Sequence, residues 1–210
     1  MRITCLHTAD SNIAVFENAA QELGLNNHTF RHISRPDLLA AAEHSGGLTP
    51  EILEETAQIL LALSQDSDRV LLTCSTLGAA AAAAAESTQV PVLRVDQALA
   101  EAAMKTAGKV VVLCAVETTL GPTRKLFEQT EKHPDAALEM RLVAGAWDKF
   151  KQGDLAGYLQ TVAAAADAAY LAGAAAVVLA QASMTGAAQF TQRGKPLTSP
   201  ECGLRAVVAV

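Results

Sequence analysis

No stripe or patch of basic residues occurs anywhere in the 210-residue chain, whose formal charge is −6 at neutral pH. That excludes nucleic acid as the expected partner, because phosphate binding needs concentrated Lys and Arg. No apolar run reaches the roughly 18 residues a membrane span needs, so no membrane partner is expected either. The opening residues, MRITCLHTAD, read as a short strand followed by polar residues rather than as the apolar core of a secretory signal. A cytoplasmic location is therefore expected. Charged residues are scarce, at 18% against 50% hydrophobic, the composition of a chain that buries much of itself.

None of the four cysteines, Cys5, Cys74, Cys114 and Cys202, belongs to a CxxC pair, and a reducing compartment argues against a disulfide framework. The five histidines, His7, His28, His32, His44 and His133, supply no ligand spacing. His28 and His32 are four apart but straddle a strand-like segment, where they would share a face by alternation only. On these spacings no metal is expected.

What is present is one pattern written twice. Arg69 to Ala85 reads RVLLTCSTLGAAAAAAA: a buried strand, a thiol at Cys74, the hydroxyls of Ser75 and Thr76, then Gly78 and an alanine run that reads as helix. Such a turn puts the sulfur at the carboxyl end of a sheet, where open α/β sheets bind ligands. It also puts it near a helix N-terminus, whose unpaired N–H groups favour a thiolate. Val177 to Ala188 reads VVLAQASMTGAA. With Val70 set on Val177, Leu72 falls on Leu179, Thr76 on Ser183, Leu77 on Met184 and Cys74 on Gln181. The strand and the turn repeat, and the sulfur does not.

Strand and helix alternate along the rest of the chain, which implies parallel sheet with helices on both faces. Strands are expected at Arg2 to His7, Asn27 to Ile33, Pro91 to Leu93, Lys109 to Cys114, Ala137 to Val143, and Lys195 to Leu197 at an edge. Thr49-Pro50-Glu51 is a strong helix start. A long helix over Asp154 to Ala172 is expected to turn Leu155, Leu159 and Val162 inward, and Pro200 starts a last one. Thr8-Ala9-Asp10-Ser11 ends the first strand as Val116-Glu117-Thr118-Thr119 ends a later one. From Asp10 to Cys74 is 74 − 10 = 64 residues, and from Thr118 to Gln181 is 181 − 118 = 63. The expectation is an α/β chain of two pseudosymmetric, flavodoxin-like parallel-sheet lobes, 1–95 with 200–210 and 96–199, and a ligand site between them. Four strand ends would line it: Thr8 to Asn12, Cys74 to Gly78, Glu117 to Thr119 and Gln181 to Met184.

TADS after the first strand, LTCSTLG, ETTLGPTR, VVLAQASM and PLTSP before the last helix together resemble the aspartate/glutamate/hydantoin racemase family over almost the whole length. The resemblance implies a cofactor-independent enzyme that binds a small carboxylate between two α/β domains, and often a homo-oligomer. In the family two cysteines flank the substrate carbon, one removing a proton and the other returning one to the opposite face. Cys74 matches the first. The second, in a GCAGM-type motif, is here Ala180-Gln181-Ala182-Ser183-Met184, so its thiol is replaced by the amide of Gln181. Family decarboxylases that keep one cysteine keep the one in the second half, so this chain is their mirror image. Asp10 matches the acid that steers the first cysteine's protonation.

Each candidate has a plainer reading beside it. Cys74 is read as a functional thiol rather than as a small buried hydrophobe. Cys5 and Cys114, at roughly corresponding strand positions, are read as core, and Cys202 as core or surface. Ser75, Thr76, Thr118 and Thr119 form a carboxylate cradle or only cap helices. Asp10 and Ser11 stand either at the substrate or at the first helix cap, Gln181 and Ser183 close the second cradle, and Glu117 is a replacement base or points to solvent. His7 is read as a satisfied strand-end histidine. The function expected is chemistry at the carbon next to a carboxylate or carbonyl of a small acid, with Cys74 as the one thiol acid/base or nucleophile. One-sided chemistry, decarboxylase- or isomerase-like, is favoured over racemisation. The alternatives are a small-carboxylate binding protein that has lost catalysis and a thiol-dependent hydrolase or lyase on the same frame.

Overall fold

The computed structural model describes residues 1–209. The chain divides into two compact units, Met1–Ala98 joined by the segment from Pro200 onward, and Leu99–Ser199. In the first unit the order is β1 (Arg2–His7), α1 (Ser11–Glu22), β2 (Thr29–Ser34), α2 (Pro36–His44), α3 (Pro50–Ser64), β3 (Arg69–Leu72), α4 (Ala79–Ala85) and β4 (Val92–Arg94). Helix α5 (Val95–Met104) carries the boundary. The second unit follows with β5 (Gly108–Cys114), a 3₁₀ turn at Glu117–Thr119, α6 (Leu120–Gln129), β6 (Ala136–Leu142), α7 (Ala146–Lys151), α8 (Leu155–Leu171) and β7 (Ala176–Leu179). A 3₁₀ helix, Ala182–Gln189, leads to β8 (Leu197–Thr198), and α9 (Ser199–Ala209) returns the chain to the first unit.

Each unit holds one parallel four-stranded sheet, in the orders β2-β1-β3-β4 and β6-β5-β7-β8. The central strands are short and apolar because both faces are covered: Val70, Leu71 and Leu72 are buried, as is all of β5 from Val110 to Cys114. In the first unit Leu6, Val70 and Leu72 pack against Ile52 and Leu60 of α3 and Ala80 and Ala84 of α4. The alanine run is therefore a packing device, since small side chains let α4 lie close to the sheet. Helix α3 starts as its sequence dictates, with Thr49 Oγ1 accepting from the Ile52 N–H and Pro50 in the first turn.

The two sheets repeat in register. Leu6 pairs with Leu72 and Leu113 with Leu179, so residues 6 and 113 are equivalent, as are 72 and 179. Counting outward makes His7 the counterpart of Cys114, Asp10 of Glu117, Asn12 of Thr119 and Cys74 of Gln181. This moves the sequence alignment of the first turn by one residue: Asp10 meets Glu117, not Thr118, and the counterpart of Cys114 is His7, not Cys5.

Helix α8 turns differently from the leucine pattern. Leu155 is 53% exposed and Leu159 is half-buried, whereas Tyr158, Val162, Ala163, Ala166 and Ala169 face the core. Burying the Tyr158 ring beside an alanine stripe covers more area at closer approach than a leucine stripe would. The segment after β7, expected to mirror α4, winds as a 3₁₀ helix tight against α8: a Cβ at Gly186 would stand 3.0 Å from Leu159. Helix α7 has no clear mark in the sequence; it starts after Gly145, whose φ of 72° admits glycine most readily.

Candidate active site

In the first unit the chain leaves β3 through Thr73, whose backbone N–H still donates to the Leu6 carbonyl at 3.0 Å. Cys74 comes next and is 8% exposed. Near its sulfur lie the Thr8 hydroxyl, from the end of β1, and the backbone N–H groups of Thr76 and Leu77. These three groups stabilise a thiolate, but burial outweighs them, and the nearby Asp96 carboxylate adds to it, so the Cys74 thiol is pushed up from its ordinary value. The sequence led us to expect the opposite, a thiol lowered by the helix start. The helix begins only at Ala79, five residues on, and desolvation decides.

Asp96 was not legible as part of this turn. It is 3% exposed and takes a bidentate pair from Arg94, with Nε and Nη2 each 2.7 Å from a carboxylate oxygen. The guanidinium lies against Gly78, at the end of the cysteine turn. The one available signal was an opposite-charge pair, Arg94 and Asp96, in an otherwise apolar strand-to-helix junction. Asp10, expected to steer the thiol, is exposed, stands at the α1 N-cap without a side-chain cap bond, and does not figure among the groups acting on Cys74. Ser11 is exposed and Ser75 and Thr76 half-buried. Asn12 is 8% exposed, and its Oδ1 is buried without a hydrogen-bond partner.

In the second unit Gln181 takes the place of the thiol and is braced at both ends. Its Oε1 accepts from the Ala115 N–H at 2.7 Å, and its Nε2 donates to Thr119 Oγ1 at 2.9 Å. Thr119 in turn donates to the Val116 carbonyl at 2.7 Å, so that hydroxyl is engaged within its own turn. Cys114, fully buried, sits beside this brace; burial pushes its thiol up, offset in part by the nearby polar groups of Gln181, Thr119 and Thr123. Ser183 is held by the Tyr158 hydroxyl at 2.9 Å, a partner not evident in the sequence, and burial pushes Tyr158 up to about 12. Thr118 and Glu117 are exposed. Cys202, in the first turn of α9, is half-buried with its thiol pushed up to about 11. All four cysteines are free. Among the described residues, Cys5, His7 and His32 bring three metal-ligating atoms together.

Thr8, Cys74, Thr76 and Asp96 thus meet in one unit, and Cys114, Thr119 and Gln181 in the other. Both groups lie beyond the carboxyl ends of the central strands, the place where parallel sheets leave backbone N–H groups and side chains open to chemistry. A buried thiol set among N–H and hydroxyl donors can deliver a proton and be held as the thiolate that results.

A comparison with curated proteins finds no significant match. Among solved structures, allantoin racemase from Klebsiella pneumoniae is similar at a TM-score of 0.71 and 18% identity, covering 100% of this chain and 86% of that one. An aspartate racemase homologue from Pyrococcus horikoshii is similar at 0.69 and 13% identity, covering 99% and 97%. Glutamate racemase from Thermus thermophilus is similar at 0.65 and 17% identity, covering 99% and 79%. At these identities the likeness is one of fold. The profile of the Asp/Glu/hydantoin racemases matches residues 33–201, from the end of β2 into α9, and the chain therefore belongs to that family.

Proposed function

We propose that the protein is an enzyme of isomerase or lyase type, acting at the carbon next to a carboxylate or carbonyl of a small acid, with Cys74 as its proton carrier. The observation that carries the reading is the equivalence of Cys74 and Gln181. A racemase of this family moves protons with two thiols, and here one of the two positions holds an amide that neither gives nor takes protons near neutral pH. Both ends of that amide are used to brace its own unit.

The thiol supports proton delivery. Because burial favours its neutral form, Cys74 rests as an acid. When loss of CO2 from the substrate leaves a carbanion or enediolate, the S–H proton passes to carbon, and solvent later returns a proton to the sulfur. The thiolate left behind is received by the Thr8 hydroxyl and the N–H groups of Thr76 and Leu77. Ser75 and Thr76 offer hydroxyls for the substrate carboxylate. The unpartnered Asn12 Oδ1 offers an acceptor for a substrate N–H. No cofactor enters this scheme.

The test is solvent deuterium incorporation during incubation with a panel of small 2-amino, 2-oxo and dicarboxylic acids. Label at one carbon with a single product configuration supports the reading, and its loss in Cys74→Ala assigns it. Tight binding without exchange or turnover would leave a binding protein instead. A second reading rests on Cys114, which lies beside Gln181 at the end of the neighbouring strand: proton transfer by a thiol of the second unit. Inversion in the wild-type protein that disappears in Cys114→Ser would establish it.

A further inference from the structure

We propose that Cys5, His7 and His32 form a metal site in the first unit, suited to Zn2+ or a similar soft, tetrahedral ion. Cys5 and His7 alternate on β1 and so share one face of the sheet. His32 is the register partner of Cys5 on β2 and falls on that same face. One ligand atom from each residue lies within 4.8 Å of the other two. A tetrahedral zinc ion with bonds of about 2.0–2.3 Å spaces its ligand atoms at about 3.3–3.8 Å, so only small side-chain adjustments separate this arrangement from a bound one.

The hydrogen bonds orient the donors. The Thr73 hydroxyl donates to the Leu6 carbonyl at 3.0 Å, so its oxygen accepts from His7 Nδ1, 2.8 Å away. That fixes the proton on Nδ1 and turns the Nε2 lone pair of His7 toward His32. Metal-binding histidines are held in this way, one nitrogen pinned by an outer hydrogen bond and the other presented to the ion. His7 Nε2 and His32 Nδ1 stand 2.9 Å apart, so in the metal-free chain His32 donates from Nδ1. Its Nε2 lone pair is then left buried with no partner. The array holds a thiol, an imidazole lone pair shared between rings and a second lone pair unused, all soft donors.

Binding needs no redox partner. The ion takes the place of the Cys5 thiol proton, which leaves to solvent, and the S–H bond is exchanged for a metal–sulfur bond. The His32 proton moves to whichever ring nitrogen faces away. Glu17 on α1 acts electrostatically on His32 and supplies negative charge near a site that would otherwise carry one net positive charge. Three protein ligands leave a fourth position for water. Since Thr73 holds His7 and directly precedes Cys74, the ion would fix the base of the cysteine turn. Its role is structural, and it takes no part in the proton chemistry proposed above.

The test uses the full chain, reduced and stripped with a chelator, then titrated with Co2+ and Zn2+. One equivalent of Co2+ should give thiolate-to-metal charge-transfer and tetrahedral ligand-field bands, and Zn2+ should displace it and raise Tm. Cys5→Ser should abolish the charge-transfer band, His32→Gln should weaken binding by at least about 10-fold, and Cys202→Ser should change neither. If Cys5→Ser does not fold, His32→Gln, on the half-buried edge strand, decides the matter. No stoichiometric band in the wild-type protein, or a band that survives both Cys5→Ser and His32→Gln, would overturn the proposal and leave the three side chains as a hydrogen-bonded brace.

Discussion

Gly78 lies against the guanidinium of Arg94 so closely that a Cβ built on it would stand 2.2 Å from Nη2. The guanidinium cannot retreat freely, because it is held to Asp96 by two bonds of 2.7 Å. Gly78→Ala should therefore push the cysteine turn and the ion pair apart at a cost of about 1–3 kcal/mol. Urea unfolding measures it. Gly121→Ala is the control: nothing lies within 4 Å of the added methyl and the residue is helical, so that change should stabilise by about 0.4–1 kcal/mol. Equal effects from the two substitutions would sink the argument.

Cys74 should react slowly with iodoacetamide at neutral pH and accelerate only on the alkaline side of the ordinary thiol range. Only the thiolate attacks, and burial with Asp96 disfavours it. Asp96→Asn removes that charge and releases Arg94, so labelling at neutral pH should rise. Cys5, whose thiol burial pushes up to about 12, should label more slowly still. Peptide mass spectrometry across a pH series reads all four sites. Rapid labelling of Cys74 at neutral pH would show that donors, not burial, govern it.

Neither aspartate, glutamate nor a hydantoin should be racemised by the wild-type chain. Gln181→Cys supplies a second proton carrier and should gain detectable inversion, followed by chiral chromatography. The substitution also strips partners from the Ala115 N–H and from Thr119, which at about 1–3 kcal/mol calls for a stability measurement alongside. Wild-type inversion would end the single-thiol reading and turn attention to Cys114.

Tyr158 makes stability fall at high pH. Its folded pKa, about 12, lies above the ordinary value of about 10, so between these values the unfolded chain loses a proton that the folded chain keeps. The contribution is intact below pH about 10 and is lost progressively up to about 12. Tyr158→Phe should flatten that part of the stability curve and, by removing one bond to Ser183, cost about 0.5–1.5 kcal/mol at neutral pH. Denaturant unfolding at several alkaline pH values checks both.

The parallel sheets and the duplicated turn were legible because they are local. An apolar run such as VLLTC or VVLAQ can only be a covered strand, and a small-residue stretch after it can only be a close-packed helix. The equivalence of Cys74 and Gln181 followed from that alone. What was not legible depends on partners remote in sequence. The thiol shift of Cys74 is set by burial and by Asp96, and neither is visible in LTCSTLG. The tyrosine under Ser183 is hidden in the sequence because Leu155, Leu159 and Val162 make the more regular apolar stripe of α8. Spacing rules written for helices and CxxC loops could not see Cys5, His7 and His32: the first two share a face of β1, and His32 joins them only because β2 pairs with β1 in one particular register.

The unit that begins the chain is also the one that ends it. Helix α9, whose Leu204 and Val207 are fully buried and whose Gly203 packs against Val95, belongs to the first unit, while Leu99–Ser199 is one unbroken stretch. During synthesis that whole stretch is made while the first unit still lacks a wall. At about 5–20 residues per second that interval lasts on the order of 5–20 s. A chain cut before Pro200 should therefore protect β5 and β7 from protease better than β1 and β3.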